Sequence, residues 1–403
     1  MELSKINLLD LSNPPQTKVL CGLVSSSLVI FIVVLAVSWL LLWIRFRGSS
    51  GRVKVYPLLL IVRTGLKGEP LGGSLGRILS LLGWPSVAVM ILSAIGFYYL
   101  ALNLFIRRYI AQPEPGPGAS TEGFVPLLPG ITIPLDENLL IILVAIGLAV
   151  LVHEVSHAMI ARAVGVKVKD AGFILLAFIP GAFIEPDEDE LRGAPLTSRL
   201  KVYSAGVAAN IALALLALLA LVTLSPTLYN GVLVLDVDEG APASLGGLRE
   251  GMVIVEVNGV PTRTVDDFIR VLRELGVADK SKAVILEVRV LGGDGEKILT
   301  IRKPEGWDRI GVRVAQNLEW APLASLLQAL FMVNLALALV NAAPLVIPTP
   351  AGSLASDGAH FLGDLVARVL GERAKLLVTP AIGLATLLLI VSLITLTPVR
   401  FTP

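Results

Sequence analysis

Long apolar runs alternate with short polar segments along most of the chain. Five runs approach the length of about 20 residues that a helix needs to cross a bilayer. These five runs are 19–44, 85–106, 138–161, 203–224 and 376–396. A sixth run, 321–347, is interrupted by Asn334, Asn341 and several prolines, and we interpret it as a further span. The pattern predicts a polytopic α-helical membrane protein with about six transmembrane helices.

One segment, about 227–318, has a different pattern. The stretches "GVLVLDV", "GMVIVEVNGV", "AVILEVRVL" and "KILTIR" are typical of strands, and "VDDFIRVLREL" has the apolar spacing of a short helix. Turn pairs such as Asn258-Gly259 and Gly292-Gly293 separate these elements. The segment therefore predicts an α/β module inserted between two membrane spans.

Composition agrees with a bilayer as the surroundings of most of the chain. Hydrophobic residues make up 55% and charged residues 16%, whereas soluble domains have about 25% charged residues. The net charge of +1 gives no reason to expect a nucleic-acid partner. The single cysteine, Cys21, excludes an internal disulfide and a cysteine-based metal site.

Positive charge predicts the orientation, because cytoplasmic loops carry an excess of lysine and arginine. The loop after the first span contains one acidic residue, Glu69, and seven basic residues: Arg45, Arg47, Arg52, Lys54, Arg63, Lys67 and Arg77. We therefore expect this loop in the cytoplasm. The Pro- and Gly-rich segment 112–136 and the inserted module then lie outside.

The third span contains His153, Glu154 and His157 in the pattern H-E-x-x-H. Residues four positions apart share one helix face, so a single Zn²⁺ can bind both imidazoles. The glutamate is then placed to accept a proton from a zinc-bound water. The alternative is a purely structural polar cluster. A charge in mid-bilayer costs about 2.5–3.5 kcal/mol on insertion scales, which favours a functional reason for Glu154.

A catalytic zinc site needs a third protein ligand, and the chain offers two candidates. Asp357 and His360, three residues apart, follow a proline-rich stretch of the run "LVNAAPLVIPTPAGSLASDGAHFLGDL". From the residues alone His360 is slightly favoured, because three-histidine sites are common, although a carboxylate serves equally well. Asp357 has an alternative interpretation as a helix N-cap.

"VHEVSHA" together with the later "NAAP…SDGAHF" resembles the site-2 protease family of intramembrane zinc metalloproteases. The stretches "PGAF" and "AG…N" from Gly206 to Asn210 carry the same resemblance. It implies that His153, His157 and Asp357 bind one zinc ion, and that His360 is a neighbour of the ligand.

The same resemblance assigns three further roles. Glu154 is expected to be the general base. Asn210 is expected to orient substrate or stabilise the oxyanion, and Asn341 to hold the substrate backbone. The chain departs from the family pattern because "LVIPTPAGSLAS" separates Pro344 from Asp357.

The inserted module resembles a PDZ domain of the bacterial protease type over "GVLVLDVDEGAPASLGGLREGMVIVEVNGVPTRTVDDF". This resemblance implies a groove for a peptide or a carboxyl terminus at Asn230, Gly231 and Val232. The alternative is a PDZ fold that acts only as a spacer or a size filter.

Residues 170–184, "DAGFILLAFIPGAFI", are too few for two helices. We predict a membrane-associated hairpin or re-entrant loop with a turn at Pro180-Gly181, whose edge pairs with an unwound substrate. The stretch "VKVYPLLLIVRT" either adds a strand near the site or lies on the membrane surface.

Together these expectations describe a multi-pass enzyme that cleaves single-span membrane proteins, with its zinc toward the cytoplasmic half of the bilayer. The alternatives are a non-catalytic receptor or chaperone for transmembrane helices and a metal-dependent transporter. The expected regions are an N-terminal membrane region (1–137), two halves of a catalytic core (138–225 and 319–403) and the PDZ-like domain (226–318).

Overall fold

A computed structural model describes residues 14–46, 51–111, 123–129, 132–133, 135, 137–293, 295–318, 321–349 and 352–395. The chain divides into two compact units. Unit 1 comprises Met1–Ala214 and Met332–Arg400, and unit 2 comprises Leu215–Phe331 with Phe401–Pro403. Most of the expected outer loop 112–136 lies outside the described residues.

Helices account for most of unit 1. The helices of the described residues are α1 (Pro14–Phe46), α2 (Gly73–Tyr109), α3 (Glu137–Ala163), α4 (Glu188–Gly193), α5 (Leu196–Leu228), α6 (Pro242–Leu245), α7 (Val265–Glu274), α8 (Ala321–Ala342), α9 (Asp357–Leu370) and α10 (Glu372–Ser392). Within the described residues, six of them (α1, α2, α3, α5, α8 and α10) are long and apolar enough to cross a membrane. The prediction of about six spans is confirmed to this extent.

In the part of the chain that the structure describes, the strands form three separate antiparallel groups. The strands are β1 (Val53–Tyr56), β2 (Leu59–Arg63), β3 (Val168–Leu176), β4 (Ile179–Pro186), β5 (Tyr229–Val237), β6 (Val253–Val257), β7 (Val260–Pro261), β8 (Val284–Gly292), β9 (Gly295–Lys303), β10 (Val312–Leu318), β11 (Val346–Thr349) and β12 (Gly352–Ala355).

Unit 1 contains a four-stranded sheet in the order β1-β2-β3-β4. The predicted hairpin at 170–184 is confirmed as β3 and β4, and "VKVYPLLLIVRT" adds two strands to it. The predicted turn at Pro180-Gly181 is wrong, because both residues lie in β4 opposite Leu175 and Ile174. Proline is tolerated there because β4 is an edge strand, where a missing N–H breaks no ladder bond.

Unit 2 contains the second sheet, in the order β10-β5-β6-β8-β9 with β7 paired to β6. Its core consists mainly of inward-facing side chains of the strands and of α7, joined by Leu248 from the loop before β6. Val232, Leu248, Ile254, Phe268 and Leu286 are all at most 2% exposed. The four predicted strands and the predicted helix are present. The sequence reasoning missed β10, which forms one edge of the sheet beside β5.

The span predicted over 321–347 is shorter in the structure, because α8 ends at Ala342 ahead of Pro344. The insertion that follows is a hairpin of β11 and β12 whose two ends meet. The Ser356 N–H donates to the Leu345 carbonyl, and its hydroxyl donates to the Ala343 carbonyl at 2.6 Å. The insertion therefore loops out, and Asp357 begins α9 directly beside the end of α8.

Candidate metal centre

Helix α3 presents His153 and His157 on one face, one turn apart, and α9 brings Asp357 to them. The two Nε2 atoms are 3.1 Å apart. The Asp357 Oδ2 lies 3.1 Å from the His153 Nε2 and 3.2 Å from the His157 Nε2. Among the described residues, these three form the one group of potential metal ligands whose ligand atoms lie within 4.8 Å of one another.

Hydrogen bonds on the far side of each imidazole fix which nitrogen faces the cluster. The His157 Nδ1 lies 2.7 Å from the Val202 carbonyl, which can only accept, so Nδ1 carries the proton. The His153 Nδ1 lies 2.5 Å from the Asn210 Oδ1. The Asn210 Nδ2 already donates to Ala149 and Asn334, so here too the imidazole donates. In their neutral forms both Nε2 atoms therefore present lone pairs to the cluster.

Two nitrogen lone pairs and a carboxylate oxygen thus converge, which is a donor set that suits a cation. Zinc with N and O ligands at about 2.0–2.1 Å in tetrahedral geometry places neighbouring ligand atoms about 3.3 Å apart. The observed separations of 3.1–3.2 Å are close to this value. Two histidines and one carboxylate also leave a fourth position for water. The residues present therefore fit a catalytic zinc ion.

Two glycines allow neighbouring helices to approach the cluster. A Cβ at Gly206 of α5 would lie 2.5 Å from the Nε2 atoms of both His153 and His157. A Cβ at Gly358 would lie 2.1 Å from the Ala342 carbonyl oxygen. Gly206 therefore gives the two imidazoles their space, and Gly358 lets α9 start against the end of α8.

Glu154 lies in the same cavity as the three candidate ligands. Its Oε2 accepts a hydrogen bond of 3.0 Å from the N–H of Ile184 in β4. The amide of an outer strand thus holds this carboxylate, and β4 is placed beside the site. His153 lies ten residues before the end of α3, about 15 Å along the helix axis.

The cavity has a volume of about 1100 Å³ and continues from the cluster to charged side chains of α4, α5, α9 and α10. Asn341 lines it, as the predicted role in substrate binding requires. His360 lines it too, but it stacks on Tyr203 at 5.5 Å between ring centroids rather than joining the cluster. Further along, the buried Asp364 pairs with Arg199 at 2.8 Å and with Lys375 at 2.7 Å.

Asn210 is completely buried, and its side chain contacts His153, Ala149 and Asn334. These contacts orient an imidazole, and they give no support to the predicted contact with substrate. Asn334 was interpreted in the sequence only as an interruption of a span. Asn334 lies seven residues before Asn341, so both amides lie on one face of α8. This spacing is the signal in the sequence that could have identified Asn334 as part of the polar site.

The three residues predicted to form a peptide groove lie at the start of β5 in unit 2. Gly231, at a φ of +99°, donates its N–H to the Arg263 carbonyl at 3.2 Å. Val232 is completely buried and pairs with Ile254 on one side and with Gln316 of β10 on the other. These contacts give no support to a groove at Asn230–Val232, because β10 covers that side of β5.

Comparisons with known proteins agree with this centre. The profile of peptidase family M50 matches residues 141–393. An uncharacterized protein of Methanocaldococcus jannaschii is 31% identical over 269 residues, covering 64% of this chain and 66% of that protein. A membrane-bound transcription factor site-2 protease homolog of Arabidopsis thaliana is 31% identical over 134 residues, covering 32% of this chain and 26% of that protein.

A protein of Nostoc sp., whose name proposes a zinc metalloprotease, is 27% identical over 216 residues, covering 45% of this chain and 58% of that protein. The chain thus spans less than two thirds of the length of each of these relatives. The family match extends over more than half of the chain and includes both the imidazole helix and Asp357. The chain therefore belongs to peptidase family M50, and its six long apolar helices make it a multi-pass membrane protein.

Proposed function

We propose that this protein is an intramembrane zinc endopeptidase of the site-2 protease type. Its substrates are single-span membrane proteins, cleaved within or near their transmembrane segments as in regulated intramembrane proteolysis. The observation that carries the proposal is the convergence of His153, His157 and Asp357 on one point, with Glu154 in the same cavity. An apolar helix that carries three polar side chains to one cavity has a functional reason to do so.

His153, His157 and Asp357 would hold the zinc ion. When bound, zinc lowers the pKa of its water to about 7 and polarises a carbonyl. The Val202 carbonyl and the Asn210 side chain orient the two imidazoles, as partners of ligating histidines generally do. Glu154 accepts the proton of the attacking water and passes it to the leaving amine.

The outer edge of β4 is our candidate for the substrate-binding strand. A transmembrane substrate must unwind before its carbonyls are accessible, and an unwound segment gains backbone hydrogen bonds by pairing with a sheet edge. The backbone groups of Ala182 and Ile184 are directed away from β3, toward the open edge of the sheet. The Ile184 N–H already donates to Glu154 at that edge. Asn341 on the cavity wall is placed to bind the substrate backbone.

Unit 2 is proposed to be a PDZ-like domain on the extracytoplasmic side of the membrane. The zinc site is proposed to lie toward the cytoplasmic half of the bilayer. The excess of basic residues in the loop after α1 supports this orientation. The edge strand β10, rather than the enclosed start of β5, is then the place where a peptide or carboxyl terminus adds to the sheet.

The test replaces Glu154 with glutamine in the full chain purified in detergent. A single-span reporter is the substrate, and bound zinc is measured on the same sample. Retained zinc with lost cleavage supports an enzyme that uses Glu154 as a base. Binding of the reporter without cleavage by the wild-type, zinc-loaded protein would favour a receptor or chaperone instead.

A further inference from the structure

The N-terminal part of the chain, which precedes the residues matched by the family profile, adds two strands and a helix to the β3–β4 hairpin. Strand β2 pairs with β3 from Leu59 opposite Leu176 to Arg63 opposite Gly172. Strand β4 remains at the other edge of the sheet, next to Glu154. The N-terminal strands β1 and β2 therefore extend the sheet beyond β3, on the side of the hairpin away from the site.

The N-terminal part of the chain binds both backbone polar groups of Ala177, which lies in the hairpin turn. Ala177 adopts a φ of +54°, which is uncommon for a residue with a Cβ. Its N–H donates to the Leu58 carbonyl at 2.7 Å, and its carbonyl accepts from the Trp39 Nε1 at 3.0 Å. The Phe31 and Phe178 rings meet edge to face at 5.6 Å. Trp39 is 7% exposed, so α1 contributes a buried anchor to the turn.

The other end of the hairpin is held by Arg63. Its Nη1 lies 3.1 Å from the Asp170 Oδ2 of β3 and 2.9 Å from the Glu185 Oε2 of β4. Its guanidinium also lies over the Phe183 ring, at 5.6 Å from the centroid. Glu185 directly follows Ile184, whose amide donates to Glu154. Arg63 of β2 thus binds β4 at Glu185, the residue next to the amide that donates to the proposed base, Glu154.

We propose that Arg63 and Trp39 are positioning residues that fix the register of β4 against the active site. This inference rests on the proposed function, in which an unwound substrate pairs with β4. Moving the strand by one residue displaces it by about 3.3 Å and turns each side chain to the opposite face. Arg63 and Trp39 therefore determine which peptide bond of the paired substrate reaches Glu154.

The experiment compares Arg63→Met, Trp39→Phe and the double variant with the wild type, as full chains in detergent. Arg63→Lys keeps the charge, and Lys67→Met removes a cation from an exposed loop position four residues later. The readouts are bound zinc, kcat and KM for a single-span reporter, and the masses of the cleavage products.

We expect zinc content to stay unchanged and KM to rise about threefold to tenfold in each single variant, as loss of a hydrogen bond or ion pair predicts. Products cut one or two residues from the wild-type site appear, most strongly in the double variant. Arg63→Lys lies between Arg63→Met and the wild type, and Lys67→Met behaves as the wild type.

A single wild-type cleavage site with unchanged KM in the double variant would overturn the inference, while leaving Glu154 and the zinc ligands untouched. Loss of zinc in Arg63→Met would also overturn it, because a general structural role would then explain the effect. Failure of the proposed function is distinguishable, since the wild-type protein itself would then leave the reporter uncut.

Discussion

Gly206 lies so close to both imidazoles that any side chain there must displace them. We expect Gly206→Ala to abolish zinc binding and cleavage, because the added Cβ would lie 2.5 Å from two ligand atoms. Gly96→Ala is the matched control in another membrane helix, since its Cβ would meet its nearest neighbour at 3.7 Å. Metal analysis of the two purified proteins decides the matter, and full zinc occupancy in Gly206→Ala would contradict the geometry.

Asp357 and His360 make opposite predictions for metal content. Asp357→Ala removes one of the three converging ligand atoms. We expect this variant to bind zinc with an affinity lowered at least about tenfold. His360→Ala removes a ring that stacks on Tyr203 and should retain zinc. Metal titration of both variants in parallel is the measurement. The reverse result, zinc lost only with His360, would assign the third ligand to the histidine.

Among individual residues, the sequence predicts those whose chemical role follows from residue type and from spacing along the chain. H-E-x-x-H needs only one helix turn, so His153, Glu154 and His157 are identified without a fold. The contacts of the Val202 carbonyl and the Ile184 amide are invisible in the sequence, because every residue carries these groups and only tertiary packing selects two of them. The residues alone left Asp357 and His360 both open, the family resemblance favoured Asp357, and the placement of α9 agrees with that choice.

The turn of the β3–β4 hairpin carries a removable strain. Ala177 has a φ of +54°, and glycine adopts such angles without the steric penalty of a Cβ. We expect Ala177→Gly to leave both hydrogen bonds of the turn in place and to stabilise the hairpin by about 0.5–1 kcal/mol. Thermal unfolding and amide exchange of residues 168–186 test this prediction. Faster exchange in the variant would show that loss of the methyl contact outweighs the relief of strain.

Helix α4 depends on an acidic N-cap outside the membrane spans. The backbone N–H of Glu190, then Lys169 and the N–H of Asp189, lower the pKa of Asp187 below its ordinary value against the opposing effect of burial. A carboxylate whose folded pKa is lowered stabilises the fold above its unfolded pKa of about 3.9 and loses this contribution as pH falls through the folded pKa. We therefore expect α4 to fray below about pH 4.

Amide exchange of residues 188–193, corrected for the intrinsic effect of pH, measures this fraying. Asp187→Asn keeps an acceptor oxygen but does not titrate, so its α4 should show no such step in protection. A step of equal size in Asp187→Asn would place the cause elsewhere.

Elements with a strong period were predicted from the sequence, whereas those set by long-range contacts were not. The strands of unit 2 alternate clearly, and the membrane helices are continuous apolar runs. The hairpin turn was misplaced because Pro-Gly is a common turn signal, whereas here an edge position tolerates the proline. The β11–β12 hairpin could not be predicted, because its closure depends on Ser356 binding back to Ala343 and Leu345.

For the molecule as a whole, the sequence indicates a membrane enzyme with an inserted α/β module, and the structure divides into two compact units. The separation of the ligands along the chain explains what remained open. His153 and Asp357 are about two hundred residues apart, so their meeting is a property of the assembled helices of unit 1. The support of the hairpin by residues before the family match is a tertiary property of the same kind.

The central claim is that Glu154 acts as the base beside a zinc ion held by His153, His157 and Asp357. Its most direct test is the pair of measurements on Glu154→Gln, bound zinc and the rate of reporter cleavage. Glutamine keeps the size of the side chain but accepts no proton, so we predict zinc close to the wild-type amount and a rate at least about 100-fold lower. Cleavage at the wild-type rate by the zinc-loaded variant would contradict the account.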